Sequence, residues 1–395
     1  MPNKIIIWGR DDYNTLGLLR QLSGEERNVF FLMWDKPIGC ASASKYFQEH
    51  TNVFSIEEGY QYLLHHSSDA FPKPVIFTDS DEIIEFIDKH RVSLEKYYII
   101  PGTQESGLLS KINNKNNMSK LAKKLGFLVP ESRICKWNSD ISGIQYPCIL
   151  KPAHITAGHR NEFKYLICKD ERILRKALNH VRPESEFILQ QYIPKESDAL
   201  VYGCRLLNGN TLIAGTIVRD RFCRTGETSH GLVCRNLPNG ISRDQIVSFL
   251  SEIDYCGLFS IEYGLYKGDA YFFEINLRND GTSHFFYQVG ANIPLALYKN
   301  MIKEDYSSIN TEVKTDAWYI DEIYDIANIL NGTISYKTWK KEKDEATIFK
   351  YYDVNDLQPW KKMRRHRVIN IIKDAIIKKY RIYIVWIADK LNIKL

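Results

Sequence analysis

No two of the eight cysteines stand in a C-x-x-C spacing, and no apolar run approaches the roughly 20 residues that cross a bilayer. A thiolate metal cluster and a membrane-spanning helix are therefore not expected. Most of the cysteines sit inside apolar, strand-like runs, the pattern of a reduced, cytosolic protein. The chain also lacks the Gly-x-Gly-x-x-Gly fingerprint: Gly9 to Gly17 reads GRDDYNTLG, which argues against dinucleotide and hydride chemistry. No Ser-His-Asp or Cys-His constellation is evident, so covalent catalysis through the protein is not expected either. The opening run Ile5-Ile6-Ile7-Trp8-Gly9 is too short for a secretory signal and reads as a first strand.

What is present is a chain of 395 residues with 44% apolar content, long enough for two or three domains and a large core. Its first hundred residues have a βαβ rhythm. Lys4 to Trp8 reads as a buried strand, followed by a helix to about Leu22, a second strand over Asn28 to Trp34, and later strands at Pro74–Thr78 and Tyr97–Pro101.

The densest chemistry lies between Leu258 and Asn292. Two β-rich runs, Ser260–Tyr266 and Ala270–Asn276, flank Lys267-Gly268-Asp269, which suits a hairpin with a three-residue loop. Pairing Tyr266 with Ala270 would make Glu262 and Glu274 direct partners, with Asn276 two residues along on the same face. Like charges opposed on a sheet need a compensating cation, and two carboxylates with an amide oxygen suit magnesium, which leaves its other positions to water and nucleotide phosphate. Arg278 would share that face and reach phosphate oxygens.

Glu262, the run Glu274-Ile275-Asn276-Leu277-Arg278 and Gly281 resemble the magnesium-binding end of the ATP-grasp fold, and further marks lie upstream in order. Lys115 opens a helical run that exits at Gly126 and Pro130. Lys151 ends the strand YPCILKP. FILQQYIPKESD, from Phe187 to Asp198, is similar to the strand and hinge that hold adenine and ribose. The resemblance implies ATP contacts from Lys115, Lys151, Lys164, Gln190, Gln191, Tyr192 and Ile193, and ribose contacts from Asp198, with Glu196 as second candidate. It implies magnesium, as two ions with manganese as an alternative, on Glu262, Glu274 and Asn276.

Departures from the pattern are Lys195 at a common glycine position, Gln191 where glutamate is common, and a loop between Lys151 and Lys164 that holds only Gly158, so that His154, His159 and Lys164 would act through side chains. The implied architecture is α/β and α+β: a Rossmann-like pre-ATP-grasp domain at 1–110, a two-lobed ATP-grasp domain at 111–304, and a C-terminal extension with basic amphipathic helices at 305–395. Within the first domain, Ser44-Lys45-Tyr46 and Phe77–Glu82 resemble elements of carbamoyl-phosphate synthase-like and D-aspartate ligase-like proteins, and the domain is expected to help bind substrate.

The implied activity activates a carboxylate as an acyl phosphate and couples it to an amine, on a cell-surface glycan or cell-envelope precursor. The alternatives are a membrane-attached ATP-binding scaffold without turnover and a biotin-carboxylase-like enzyme. Arg219 and Arg221 read as alternating onto one strand face, where paired guanidiniums would clamp a phosphoryl group or carboxylate, or else form a plain ion pair. The loop from Arg224 to Gly231 is the expected substrate-selecting element.

Residues 361–395 hold eleven Lys or Arg against Asp374 and Asp389, a net +9, which leaves −4 for the rest of the chain. Apolar residues interleave with these charges, and IYIVWIA follows from Ile382. This segment suits an anionic membrane surface or a lipid-linked glycan, at the inner face of the cell membrane, or packing on the catalytic lobes. No nucleic-acid module accompanies the charge.

Overall fold

The computed structural model describes residues 3–24, 28–34, 36–67, 71–136, 138–152, 165–179, 186–223, 226–367 and 369–370. The N-terminal strands are β1 (Ile5–Arg10), β2 (Val29–Trp34), β3 (Glu49–Val53) and β4 (Val75–Thr78), all parallel, in the order β3-β2-β1-β4. The unbroken apolar run of β1 follows from burial on both faces. Ile5 and Ile7 enter one core cluster and Ile6 and Trp8 the other. Asp12 starts the next helix, Tyr13–Leu22, by accepting from the backbone N–H groups of Asn14 and Thr15. The strand expected at Tyr97–Pro101 is only a bridge, Val75 with Ile99. Pro101 has no N–H with which to extend the pairing.

A short strand, β5 (Gly102–Thr103), leads into a small antiparallel lobe of β6 (Ser132–Lys136), β7 (Cys148–Pro152), β8 (Leu166–Cys168) and β9 (Glu186–Gln191), ordered β6-β9-β7-β8. The main sheet comprises β10 (Ser197–Arg205), β11 (Thr211–Phe222), β12 (Thr228–Cys234), β13 (Tyr255–Tyr266), β14 (Asp269–Asn276), β15 (Ala317–Ile320) and β16 (Ile348–Phe349). Its order is β14-β13-β10-β11-β12-β15-β16, with β5 paired to β13. One face, with Leu200, Tyr202 and Ile217, packs toward the N-terminal domain, and the other, with Val201, Ile261 and Ile275, forms a second core. Among the described residues all eight cysteines are free thiols.

The segment after residue 304 is woven into this body, since β15 pairs with β12 and β16 with β15. Beyond β16, Arg20 donates to the Asp356 carboxylate at 3.1 Å and to the carbonyls of Tyr351 and Asp356, while Ser44 Oγ and the Lys45 N–H bond the same carboxylate. A helix over 357–367 follows, and residues 371–395, including the IYIVWIA run, lie outside the described residues.

Candidate active site

The hairpin delivers Glu262 and Glu274 as direct cross-strand partners, by a route different from the expected one. Tyr266 pairs with Asp269 across a two-residue Lys267-Gly268 turn, both residues having positive φ, +52° and +84°. That is the hairpin turn matched to strand twist. This connection alone would put the two glutamates out of register by one. A bulge at Phe273 corrects it, since Tyr263 pairs with Phe272 and Glu262 with Glu274. Asn276 is in register with Ser260 and donates its amide nitrogen to Ser260 Oγ at 3.2 Å, while its Oδ1 accepts from Arg278 Nη2 at 3.4 Å.

Two lysines reach this face from different elements. Lys115 is the first residue of the helix Lys115–Lys124, whose N-cap Asn114 accepts from Asn116 and Asn117, and whose exit is Gly126 at φ +84°. Its ammonium is 3.7 Å from Glu274 Oε2. Lys151 is near the end of β7 and donates to Gln190 Oε1 of β9 at 2.9 Å. Burial, then the charge of Lys115, pulls the Lys151 ammonium down to about 8, against the pull of Glu274.

Other expected residues are placed apart. Gln191 points to the opposite face of β9 and accepts from the Glu131 N–H. Ile193 is buried and Tyr192 half-buried in the hinge, which is pinned to β13 by the Glu196 N–H bond to the Leu265 carbonyl. Asp198 is 4% exposed, with its carboxylate on the Lys195 ammonium and 4.0 Å from Arg219, whereas Glu196 is exposed. Lys164, His154 and His159 lie outside the described residues.

The three arginines have distinct partners. Arg219 donates to Glu262 Oε2 at 2.8 Å. Burial raises the Glu262 carboxyl, the Arg219 charge opposes this, and Glu274 adds to it. Arg221 does not share the Arg219 face: a bulge at Asp220 pairs Arg219 with Gly231 but Arg221 with His230, turning it to the other side. There it forms a fork with Asp325 and a bond to Glu342. Arg278 is bidentate to Asp81 at 2.7 and 2.9 Å and bonds the Asn279 carbonyl, so it fastens the hairpin to the N-terminal domain. The second half of the expected selecting loop is strand, and its Arg224 and Thr225 lie outside the described residues. Thr228–Gly231 belong to β12, and Glu227 is paired with the buried Lys350.

Sequence reasoning passed over Asp280 and Phe273 and took in Asp79 only as part of the Phe77–Glu82 element. Asp280 accepts from Ser260 Oγ at 3.1 Å and from Thr282, beside the glutamate pair. The Phe273 ring lies against Gly264, where any side chain would collide with it. Burial, then the charge of Asp12, raises the Asp79 carboxyl to about 8, and it accepts from Thr15 Oγ1 at 2.6 Å. A signal existed for Asp280, a carboxylate right after the motif, and for Asp79, an acid at the end of a buried strand, but none for the bulge at Phe273.

Among the described residues no group of three or more His, Cys, Asp or Glu is arranged so that those side chains alone could hold a metal ion. Two opposed carboxylates plus an amide oxygen fit magnesium, which takes few protein ligands, and do not fit zinc.

No protein-family model matches the chain. It carries the ATP-grasp fold. Over 84% of its length it matches an ADP complex of N5-carboxyaminoimidazole ribonucleotide synthetase at TM-score 0.65 and 16% identity, covering 85% of that chain. An L-amino acid ligase from Bacillus licheniformis matches over 80%, with 79% of its own chain covered, at TM-score 0.60 and 14% identity. In sequence, the D-aspartate ligase of Enterococcus faecium is 23% identical over 255 residues, 57% of this chain and 58% of that protein. The C-terminal section of the carbamoyl phosphate synthase large chain of Methanopyrus kandleri is 25% identical over 203 residues, 48% of this chain and 36% of that one. The chain thus spans between about a third and three-fifths of the length of these curated relatives.

The low Lys151 value yields a testable linkage. A phosphate bound at Lys151 would favour the charged ammonium, so nucleotide affinity is expected to be complete below about pH 8 and to fall as pH rises through it, approaching about ten-fold per pH unit. ADP titrations by calorimetry at about pH 8.5, in two buffers of different ionisation enthalpy, should reveal proton uptake that vanishes in Lys151→Arg. Absence of uptake by the unaltered chain would disprove the assignment of Lys151 to phosphate.

Proposed function

We propose that this protein is an ATP- and magnesium-dependent ligase that forms ADP, activates a substrate carboxylate as an acyl phosphate and couples it to an amine. The observation that carries the reading is the opposed Glu262–Glu274 pair with Lys115 at its edge and Lys151 arriving from the small lobe. Magnesium on Glu262, Glu274 and Asn276 would neutralise phosphate oxygens. Lys115 and Lys151 hold the phosphate chain from two sides, and Gln190 orients Lys151. Arg219 sets the position of Glu262, and Arg278 keeps the N-terminal domain against the hairpin. Asp79, Ser80 and Asp81, at the end of β4, lie where that domain meets the hairpin, and this junction is where the carboxylate and amine would bind.

The test is ADP and phosphate release with ATP and magnesium, screening carboxylates against amines, with bicarbonate plus biotin as one arm. That arm is warranted by the fold match to a biotin carboxylase domain of Hydrogenobacter thermophilus, at TM-score 0.59 and 14% identity, covering 80% of this chain and 74% of that one. Release that needs both a carboxylate and an amine establishes ligation. Tight nucleotide binding without release in any arm would instead favour the scaffold reading.

For the acceptor, the reading is a cell-envelope or lipid-linked substrate met at an anionic membrane surface. Its support is charge: the helix over 357–367 carries Lys361, Lys362, Arg364, Arg365 and Arg367 with no acid, continuing into the basic 371–395. Among the described residues no helix is long and apolar enough to cross a membrane. The full chain should float with vesicles rich in acidic lipid and not with neutral ones. Equal behaviour with both would remove the membrane reading.

A further inference from the structure

Away from the candidate active site, the C-terminal layer borders a half-open cavity of about 450 Å³, a volume that suits one small ligand. Its lining surface is mostly apolar, with Ile323, Ile326, Phe349 and Trp360 on it, and three cations, Lys343, Arg364 and Arg367, border the same space. The aromatic rings form a chain of edge-on contacts, Phe349 to Tyr352 at 5.9 Å and Tyr352 to Trp360 at 5.5 Å. Arg364 ends it, with its guanidinium 4.9 Å from the Trp360 ring. Arg367 lies 5.3 Å over Tyr324, and its Nε is buried with no hydrogen-bond partner among the described residues. Among the described residues neither guanidinium has a carboxylate partner, although carboxylates are present nearby. The one on the cavity lining, Glu322, instead accepts from the backbone N–H groups of Lys350, Tyr351 and Tyr352. A second concavity on the same helix is bordered by Trp360 and Arg364 together with Lys361 and Arg365.

Two guanidiniums without a counter-ion among the described residues, set on rings and beside an apolar cavity, are complementary to a ligand with an anionic head and an alkyl body. Guanidinium prefers phosphate, which it can bind through two parallel N–H bonds. The apolar lining excludes a bare phosphate as the whole ligand, because an inorganic ion would leave that surface uncovered. We propose that this cavity is a binding site for a lipid phosphate, with the phosphate on Arg364 and Arg367 and the start of the chain against Ile323, Ile326 and Phe349. The proposal rests on the membrane reading above and makes it specific: the basic C-terminal segment brings the protein to the surface, and the cavity takes one anionic lipid out of it. The site lies in the layer formed after β15, so its ligand would be a membrane anchor or an acceptor carrier and would not compete with nucleotide.

The experiment uses the full chain and a monomeric probe, dodecyl phosphate below its micellar concentration, with dodecyl maltoside and inorganic phosphate as controls. Binding is read by calorimetry and by the shift in thermal unfolding. Dodecyl phosphate should bind and raise the unfolding temperature, and the two controls should not. The double substitution Arg364→Gln with Arg367→Gln should weaken binding by at least about ten-fold, the effect of losing charged hydrogen bonds. Lys340→Gln with Lys341→Gln, which removes the same charge from the neighbouring helix Tyr336–Glu345, should leave binding unchanged. The proposal is overturned if dodecyl phosphate fails to bind, if dodecyl maltoside or inorganic phosphate binds equally well, or if the arginine pair can be replaced without loss. Vesicle flotation reports separately: flotation without dodecyl phosphate binding overturns the cavity assignment alone, and dodecyl phosphate binding without flotation removes only the surface attachment.

Discussion

Glu274→Gln is expected to lower the rate of ADP formation by at least about 10²-fold while leaving the fold intact. The amide keeps the size of the carboxylate but removes one of two opposed charges and the partner of Lys115, 3.7 Å away. Because like charges face each other across β13 and β14, the apoprotein should be as stable as the parent or slightly more so. A loss of activity with an unchanged or raised unfolding temperature is therefore the signature sought in parallel assays of ADP release and thermal unfolding. A variant that keeps its full rate would mean that the pair serves only the sheet.

Arg20→Met is expected to cause the largest loss of stability, about 3–5 kcal/mol. The Arg20 side chain is 1% exposed and the Asp356 side chain 2%, so the substitution strands a buried carboxylate on Ser44 Oγ and the Lys45 N–H. The carbonyls of Tyr351 and Asp356 lose their donor as well. Urea unfolding should show the loss, and limited proteolysis should reach the chain around Tyr351 to Trp360 first. Adding Asp356→Asn should return part of the stability, since the orphaned charge is then gone. Wild-type stability in Arg20→Met would mean that the C-terminal layer is held by its apolar contacts alone.

These two residues also mark where sequence reasoning succeeds and where it stops. Glu274 was legible because its neighbours are local: alternation along two short runs and a turn between them suffice to oppose it to Glu262. Even so, the turn has two residues instead of three, and the bulge at Phe273 that restores the register leaves no compositional trace. Arg20 was not legible, because its partners stand 331 and 336 positions away. The same applies to Arg278, whose partner Asp81 is 197 positions distant, so that a guanidinium expected on phosphate is engaged between domains. Arg221 fails for a local reason, since one extra residue at Asp220 reverses the face on which every later side chain projects.

The sequence by itself determined the elements whose signals are short-ranged: the buried strand Ile5–Arg10, the helix opening at Lys115, the strand ending near Lys151, the Glu262–Glu274 hairpin and the basic stripe from Lys361. Periodicity, caps and turn residues act within a few positions, so they can be read without a fold. Only the tertiary structure decided which cations remain available and which are neutralised. Burial and long-range pairing leave Lys151 poised near 8, engage Arg221 and Arg278 with carboxylates, and set Arg364 and Arg367 beside an apolar cavity. The physical reason is that the charge state and the partner of a side chain depend on what lies within a few ångströms of it, and that neighbourhood is assembled from residues hundreds of positions apart.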